Sequence, residues 1–421
     1  MVIIETLPNG VTLLLENIPT LRSVAVGITV KAGSAKESIT ENGLAHFLEH
    51  LAFKGTEKRT ALDISAEIDA IGGRLNAHTG KEFTTYYAVV LDEHINIAVD
   101  LLADIFLRSK YLPADIDTER TVIKEEIKMY EDTPDDQIHD LFLQDFWPNH
   151  ALGRPILGTR KNVNSFDRSA VLRYQQKHYT PGQTIISVAG NIEPRKIKAM
   201  LNKAFSSMAG RSKVSTLPKP KTNKIFKVHS RDTKQNHLCL GFPSISYHDP
   251  RRYVISVLNN ILGGTMSSHL FQEIREKRGL AYSIYSYYSF FENAGTFNVY
   301  AGTAEKNTLE VLQIVQEEIR KIKTGKITNA ELTKARENLK GNLVLSTESS
   351  PSRMNWNTRS WLHYGRIISM EEMFKKVNAV TTQQVLSLAE EIFVEKNQSL
   401  AIIGQVDRKQ RNAIGAIVGC K

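Results

Sequence analysis

The segment Gly43-Leu44-Ala45-His46-Phe47-Leu48-Glu49-His50-Leu51 constrains this chain more than any other. Its apolar spacing reads as a helix, with capping residue types at Thr40 to Asn42 ahead of it and Gly55 a few residues after its last periodic apolar position. Residues three and four apart share one helical face. His46 and His50 therefore point the same way, one turn apart, with Glu49 beside them. Two imidazoles so placed can hold one metal ion, and a carboxylate between them can hold a water bound to that metal. A helix with two half-buried histidines and a surface glutamate fits the same five letters, so a third ligand decides between the readings.

The run Glu119-Arg120-Thr121-Val122-Ile123-Lys124-Glu125-Glu126-Ile127 supplies the candidate. It is a second helical stretch, entered after Pro113, and Glu119 and Glu126 share a face two turns apart. His50 and Glu126 stand 76 positions apart. With the order His-x-x-Glu-His, this spacing and the supporting Glu119, the chain resembles the pitrilysin-type metallopeptidases, which carry the inverted zinc motif. It is most similar to their small two-domain group, which includes the processing peptidase β subunit and bacterial processing-protease-like proteins. The resemblance extends over essentially the whole chain. It implies an α+β fold of two homologous domains, each a mostly antiparallel sheet with helices packed on it. It also implies one zinc ion per chain on His46, His50 and Glu126, with Glu49 as general base and Glu119 orienting the ligands. The implied activity is that of an endopeptidase cutting extended peptides or presequence-like segments.

Length and composition are compatible with this. The 421 residues suffice for two to four domains, and 41% apolar with 24% charged residues is ordinary for a globular chain. No run approaches the roughly 18 apolar residues of a membrane span. The start Met1-Val2-Ile3-Ile4-Glu5 lacks the basic and apolar regions of a signal peptide, so secretion is not expected. The expected location is the cytoplasm, with the mitochondrial matrix after removal of a presequence as the alternative. Cys239 and Cys420 are far apart and fit a reducing compartment. Residues 1–210 hold 23 basic and 27 acidic side chains, a balance of −4, and the remainder 31 and 18, a balance of +13. No nucleic-acid motif or aromatic–basic interleaving accompanies the basic half, which reads as a lysine-rich solvated surface and not as a nucleic-acid partner site.

In chain order, Val2 to Glu5 and Val11 to Leu15 flank an Asn-Gly turn and read as a hairpin. Gly72 and Gly73 precede strand-like residues through Tyr87, beginning with a stretch that holds Asn76, Ala77, His78 and Thr79. It resembles the family's edge strand beside the metal, which implies that Asn76 and Ala77 bind substrate through main-chain pairing. His78 reads as structural. The acidic run Glu131 to Asp136 opens another helix at Pro134. The resemblance gives Asp136 and Asp140 the role of receiving an arginine near the cleaved bond, as two carboxylates suit a guanidinium. Acids at a helix start also simply favour its dipole.

A basic, proline-bearing stretch at 211–224 reads as a linker between a catalytic zinc-binding domain at 1–210 and a homologous domain at 225–421. The second half repeats the first in pattern: Leu332, Arg336 and Leu339 stand where Ile116, Arg120 and Ile123 stood, but Ala335 and Asn342 replace Glu119 and Glu126. No metal site is expected there. Arg275 and Tyr282 resemble the family's Arg/Tyr motif, which implies contact with a substrate carbonyl and with the oxyanion. Larger relatives carry four such domains around a chamber, so a chain with two implies a homodimer, or a heterodimer with a homologous subunit. The alternative is a non-catalytic structural or presenting subunit, but family members of that kind usually lack part of the pentad or the third ligand.

Overall fold

A computed structural model describes residues 2–211 and 216–419. Apolar β-branched runs form the middle of two sheets. The first holds β1 (Val2–Thr6), β2 (Thr12–Asn17), β3 (Ser23–Val30), β4 (Arg74–Thr79), β5 (Thr84–Leu91) and β6 (Thr184–Gly190), in the order β1-β2-β6-β3-β5-β4. The second holds β7 (Phe226–Ser230), β8 (Asn236–Ser244), β9 (Ala281–Phe290), β10 (Gly295–Thr303) and β11 (Ser399–Gly404), in the order β7-β11-β8-β10-β9. Each sheet has one parallel pair, β2 with β6 and β7 with β11. Every other pairing is antiparallel. Strand β6 is buried along its whole length and β3 from Val24 onward, which explains their predominantly apolar sequences. The fold is α+β, as expected.

The sheets share a plan. Removing β1 leaves β2-β6-β3-β5-β4 to match β7-β11-β8-β10-β9. The match reaches single residues: Arg120 donates to the carbonyls of Val163 and Phe166, and Arg336 donates to that of Val380, in each case just ahead of a helix start at Asp167 or Thr381. Ala335 is buried in the place that Glu119 occupies in the first half.

The helices of the first half that matter below are α1 (Leu44–Leu51), α2 (Ala61–Ala70), α3 (Ile95–Arg108), α4 (Pro113–Glu131) and α5 (Pro134–Phe146). Contacts divide the chain into two compact units, and neither is continuous in sequence. One comprises Met1–Met129, Arg154–Leu217 and Leu345–Ile368; the other comprises Tyr130–Gly153, Pro218–Val344 and Ser369–Lys421. The contiguous boundaries read from the sequence miss this exchange. Helix α5 packs on β8 and β11, whereas the Ser350–Tyr364 helix packs on β3 and β6. A glycine makes room in each sheet: a Cβ at Gly27 would meet the Met354 side chain, and one at Gly241 the Phe142 ring. Charge anchors each helix. Glu16 on β2 is bound by Arg353 and by Asn357 at 2.8 Å, and Asp145 on α5 binds Lys227 at 2.6 Å and His229 at 3.2 Å. Residues 216–224 of the expected linker form no helix or strand, and 212–215 lie outside the described residues, as does Cys420.

Candidate metal centre

Helix α1 buries Leu44, Ala45, Phe47, Leu48 and Leu51 in the core of its unit, and this fixes the direction in which His46 and His50 point. Its start differs from the expectation. Thr40 to Asn42 provide no side-chain cap; the N-cap is Gly43, with φ +103°. A side chain there would also collide with the backbone of Leu157 and Gly158. The orphan amides are instead met by Glu37, whose carboxylate accepts from Gly43 N at 2.8 Å, Ala45 N at 2.6 Å and Asn42 Nδ2 at 3.1 Å. Burial pushes the Glu37 carboxyl up to about 7 against these hydrogen bonds and the Arg154 charge.

Helix α4 buries Ile116, Glu119, Ile123 and Ile127, which turns Glu119 and Glu126 toward α1. His46, His50 and Glu126 bring one ligand atom each within 4.8 Å of one another, and among the described residues they form the one such group. Glu126 Oε2 stands 3.7 Å from His46 Nε2 and 3.6 Å from His50 Nε2. These separations are long for hydrogen bonds. They suit a common cation, since zinc bonded at roughly 2.1 Å in a tetrahedron spaces its ligands about 3.4 Å apart. Glu126 Oε2 is buried with no hydrogen-bond partner in the protein, a state that a polar atom rarely keeps without a bound ion or water. The donor set of two imidazoles and a carboxylate, leaving one position open, fits zinc.

Behind the ligands, His50 Nδ1 donates to Glu119 Oε2 at 2.9 Å, and Lys54 Nζ meets Glu119 Oε1 at 2.6 Å. Burial would raise the Glu119 carboxyl, but the His50 and Lys54 bonds outweigh it and hold the group below its ordinary value. Burial, with the neighbouring His50, depresses His46 to about 3, so its ring is neutral and able to ligate. Burial alone would lower His50, but the Glu119 bond and the Glu126 and Glu49 carboxylates raise it overall. Glu49 is raised chiefly by burial, against a hydrogen bond from the Thr79 hydroxyl to Oε2.

Strand β4 is the outermost strand of its sheet, paired only with β5. The Gly80 amide bonds to the Phe83 carbonyl, and counting back from this closure leaves the Ala77 amide directed to the open edge. Asn76 Oδ1 accepts from it at 2.8 Å. His78 packs edge-on against Phe83 and Tyr87 and is not in the metal group.

The other expected residues belong to the second unit. Asp136 and Asp140 lie one turn apart on α5 beside Tyr130, whose phenol is raised by burial and then by these two carboxylates. The Tyr130 hydroxyl donates to the Asp136 carbonyl at 3.0 Å. Arg275 lies in wide π-type turns over Phe271–Glu276. There the Arg275 guanidinium lies 4.9 Å from the Phe271 and Tyr282 ring centres, so the arginine and tyrosine touch. Tyr282 is 74% exposed.

Three residues at the metal group escaped the sequence reading. Lys54 is four residues after His50, a spacing that offered a signal. Thr79 reaches Glu49 only through the placement of β4, and Glu37 caps a helix from outside the range in which a cap is sought.

Comparison with known proteins identifies the family and the fold. Residues 12–160 match the family model described as insulinase (peptidase family M16), and residues 165–339 match that of the peptidase M16 inactive domain. A Bacillus subtilis protein named as an uncharacterized zinc protease, YmxG, is 44% identical over 94% of this chain and 97% of its own length. A Streptomyces coelicolor protein named in the same way is 39% identical over 97% of this chain and 91% of its own. The crystal structure of a Helicobacter pylori protease has the same fold, with a TM-score of 0.88 at 21% identity over 96% of this chain and 99% of that one. No helix among the described residues is long and apolar enough to cross a membrane. The chain belongs to peptidase family M16, in its pitrilysin-type group of small two-domain proteins.

Proposed function

We propose that this protein is a zinc-dependent endopeptidase acting on extended peptides, with one zinc ion per chain on His46, His50 and Glu126. The observation that carries the reading is the buried, unpartnered Glu126 Oε2 facing two imidazole nitrogens. When bound, zinc lowers the pKa of a coordinated water toward neutrality and polarises the scissile carbonyl. Glu49 takes the proton of the attacking water at Oε1, since Oε2 is held by Thr79, and delivers it to the leaving amine. Burial of Glu49 raises its proton affinity, which suits a base working near neutral pH. Glu119 fixes the His50 ring so that Nε2 ligates.

The open edge of β4 receives the peptide as an added strand, with the Ala77 amide and the Asn76 side chain as its contacts. Asp136 and Asp140 bind an arginine close to the cleaved bond. Arg275 binds a peptide carbonyl and Tyr282 donates to the oxyanion. Two copies assemble as a dimer in the cytoplasm. Names that call the relatives zinc proteases support this reading. The test pairs metal analysis with a cleavage assay on a basic, unstructured peptide. Glu49→Gln is expected to keep zinc while hydrolysis falls at least about a hundredfold. Wild-type turnover in that variant removes Glu49 as the base.

A further inference from the structure

Thr79 is the last residue of β4, and its hydroxyl donates to Glu49 Oε2. A hydroxyl has one proton to give. The nearby Thr84 hydroxyl lies 2.9 Å from the Ala32 carbonyl and 3.4 Å from Thr79 Oγ1, so its proton is spent on Ala32. Thr79 gives its own proton to Glu49 Oε2, much the nearer of its two possible acceptors, and among the described residues no second hydrogen bond reaches that carboxylate. A glutamate side chain has three free torsions, whereas a threonine in a paired strand is stiff at its single one. Thr79 stands opposite Thr84 on β5, and the backbone beside it is closed by the bond from the Gly80 amide to the Phe83 carbonyl. The same face of β4 carries Ala77 two residues earlier.

We propose that Thr79 is a positioning residue: it locks one oxygen of Glu49 to the edge strand and thereby aims the other at the space before His46, His50 and Glu126. The inference rests on Glu49 being the base in the proposed function. A peptide that adds to β4 is then registered on the same strand that holds the base, so substrate and base share one rigid support.

Two measurements test this, and one needs no activity. In crystal structures of the metal-free protein, the Glu49 carboxylate should keep its place in the wild type and in Thr79→Ser and leave it in Thr79→Val. An unmoved Glu49 in Thr79→Val overturns the proposal. In the zinc-loaded protein, Thr79→Val should lower kcat about ten- to a hundredfold with KM unchanged, a loss typical of a misplaced catalytic group. Thr79→Ser should restore kcat, with melting temperature and zinc content controlling for folding. In a Glu49→Gln background, Thr79→Val should cost nothing more, because it acts only through Glu49. An additive loss, or no recovery with serine, overturns the proposal. If the wild type cuts no peptide, the protease reading fails, while the crystal comparison still decides the role of Thr79.

Discussion

Glu119 stands between a metal-ligand histidine and a lysine: Oε2 accepts from His50 Nδ1 at 2.9 Å and Oε1 meets Lys54 Nζ at 2.6 Å. The carboxylate is almost wholly buried, at 1% exposure, and stays ionised because both oxygens are matched by donors. Glu119→Gln removes the charge that orients and enriches the His50 ring, so zinc affinity should fall about ten- to a hundredfold. Lys54→Met should act in the same direction and less strongly. Chelator competition measures both, and unchanged affinity in Glu119→Gln would show that the pair is only structural.

Glu125 and Glu126 are neighbours in sequence with different surroundings. Glu125 is exposed, whereas Glu126 turns a buried oxygen toward the imidazoles. Zinc retention on dialysis should drop in Glu126→Gln and stay at the wild-type level in Glu125→Gln. The reverse result would place the ligand one residue earlier and rotate α4 out of the arrangement described above.

Much of this site was legible because it lies on helices, where a fixed rise and period turn sequence spacing into geometry. His46, His50, Glu119 and Glu126 are of this kind. Thr79 and Glu37 act across elements, and their distance from α1 in space depends on how β4 and the loop before α1 dock. The exchange of α5 and the Ser350–Tyr364 helix was hidden for the same reason. An amphipathic helix declares that one face is buried but not against which sheet. The notches at Gly27 and Gly241 that receive these helices carry meaning only once the strands are in register.

The Glu37 cap gives folding a defined pH dependence. Burial holds its carboxyl at about 7, above the ordinary value of 4.5, so between these limits the folded chain binds a proton that the unfolded chain does not. Stability should therefore rise as pH falls from about 7 to 4.5, and the Glu37 contribution amounts to about 3 kcal/mol across that window. Glu37→Gln removes this dependence. The difference in melting temperature between wild type and variant, followed against pH in metal-free protein, isolates it from the histidines. A constant difference would show that Glu37 does not change protonation there.

Asp136 and Asp140 differ from ordinary helix-start acids in facing one phenol, that of Tyr130, together. Changing both to Asn should erase a preference for arginine near the cleaved bond and leave cleavage of neutral peptides nearly intact. A library of peptides differing only at that position reads this directly, and an unchanged profile would leave the pair with a role at the helix dipole alone.

The assembly prediction follows from the number of domains. The family resemblance implies a chamber of four such domains, with the Arg/Tyr motif facing zinc from the other half, and this chain has two. Two copies would then share sites, each metal group working with Arg275 and Tyr282 of the second copy. A monomer whose Arg/Tyr motif serves its own zinc is the competing arrangement. Mixing separates them. Glu49→Gln and Tyr282→Phe chains are each expected to be nearly inactive alone, the first lacking the base and the second the oxyanion donor. In a mixed dimer with shared sites, one site combines an intact Glu49 with an intact Tyr282 and the other has neither. Activity should then return toward a quarter of the wild-type level, because half of randomly paired dimers are mixed and each has one competent site. Subunit exchange is followed separately by fluorescence transfer between labelled chains. Exchange without any return of activity excludes the shared site.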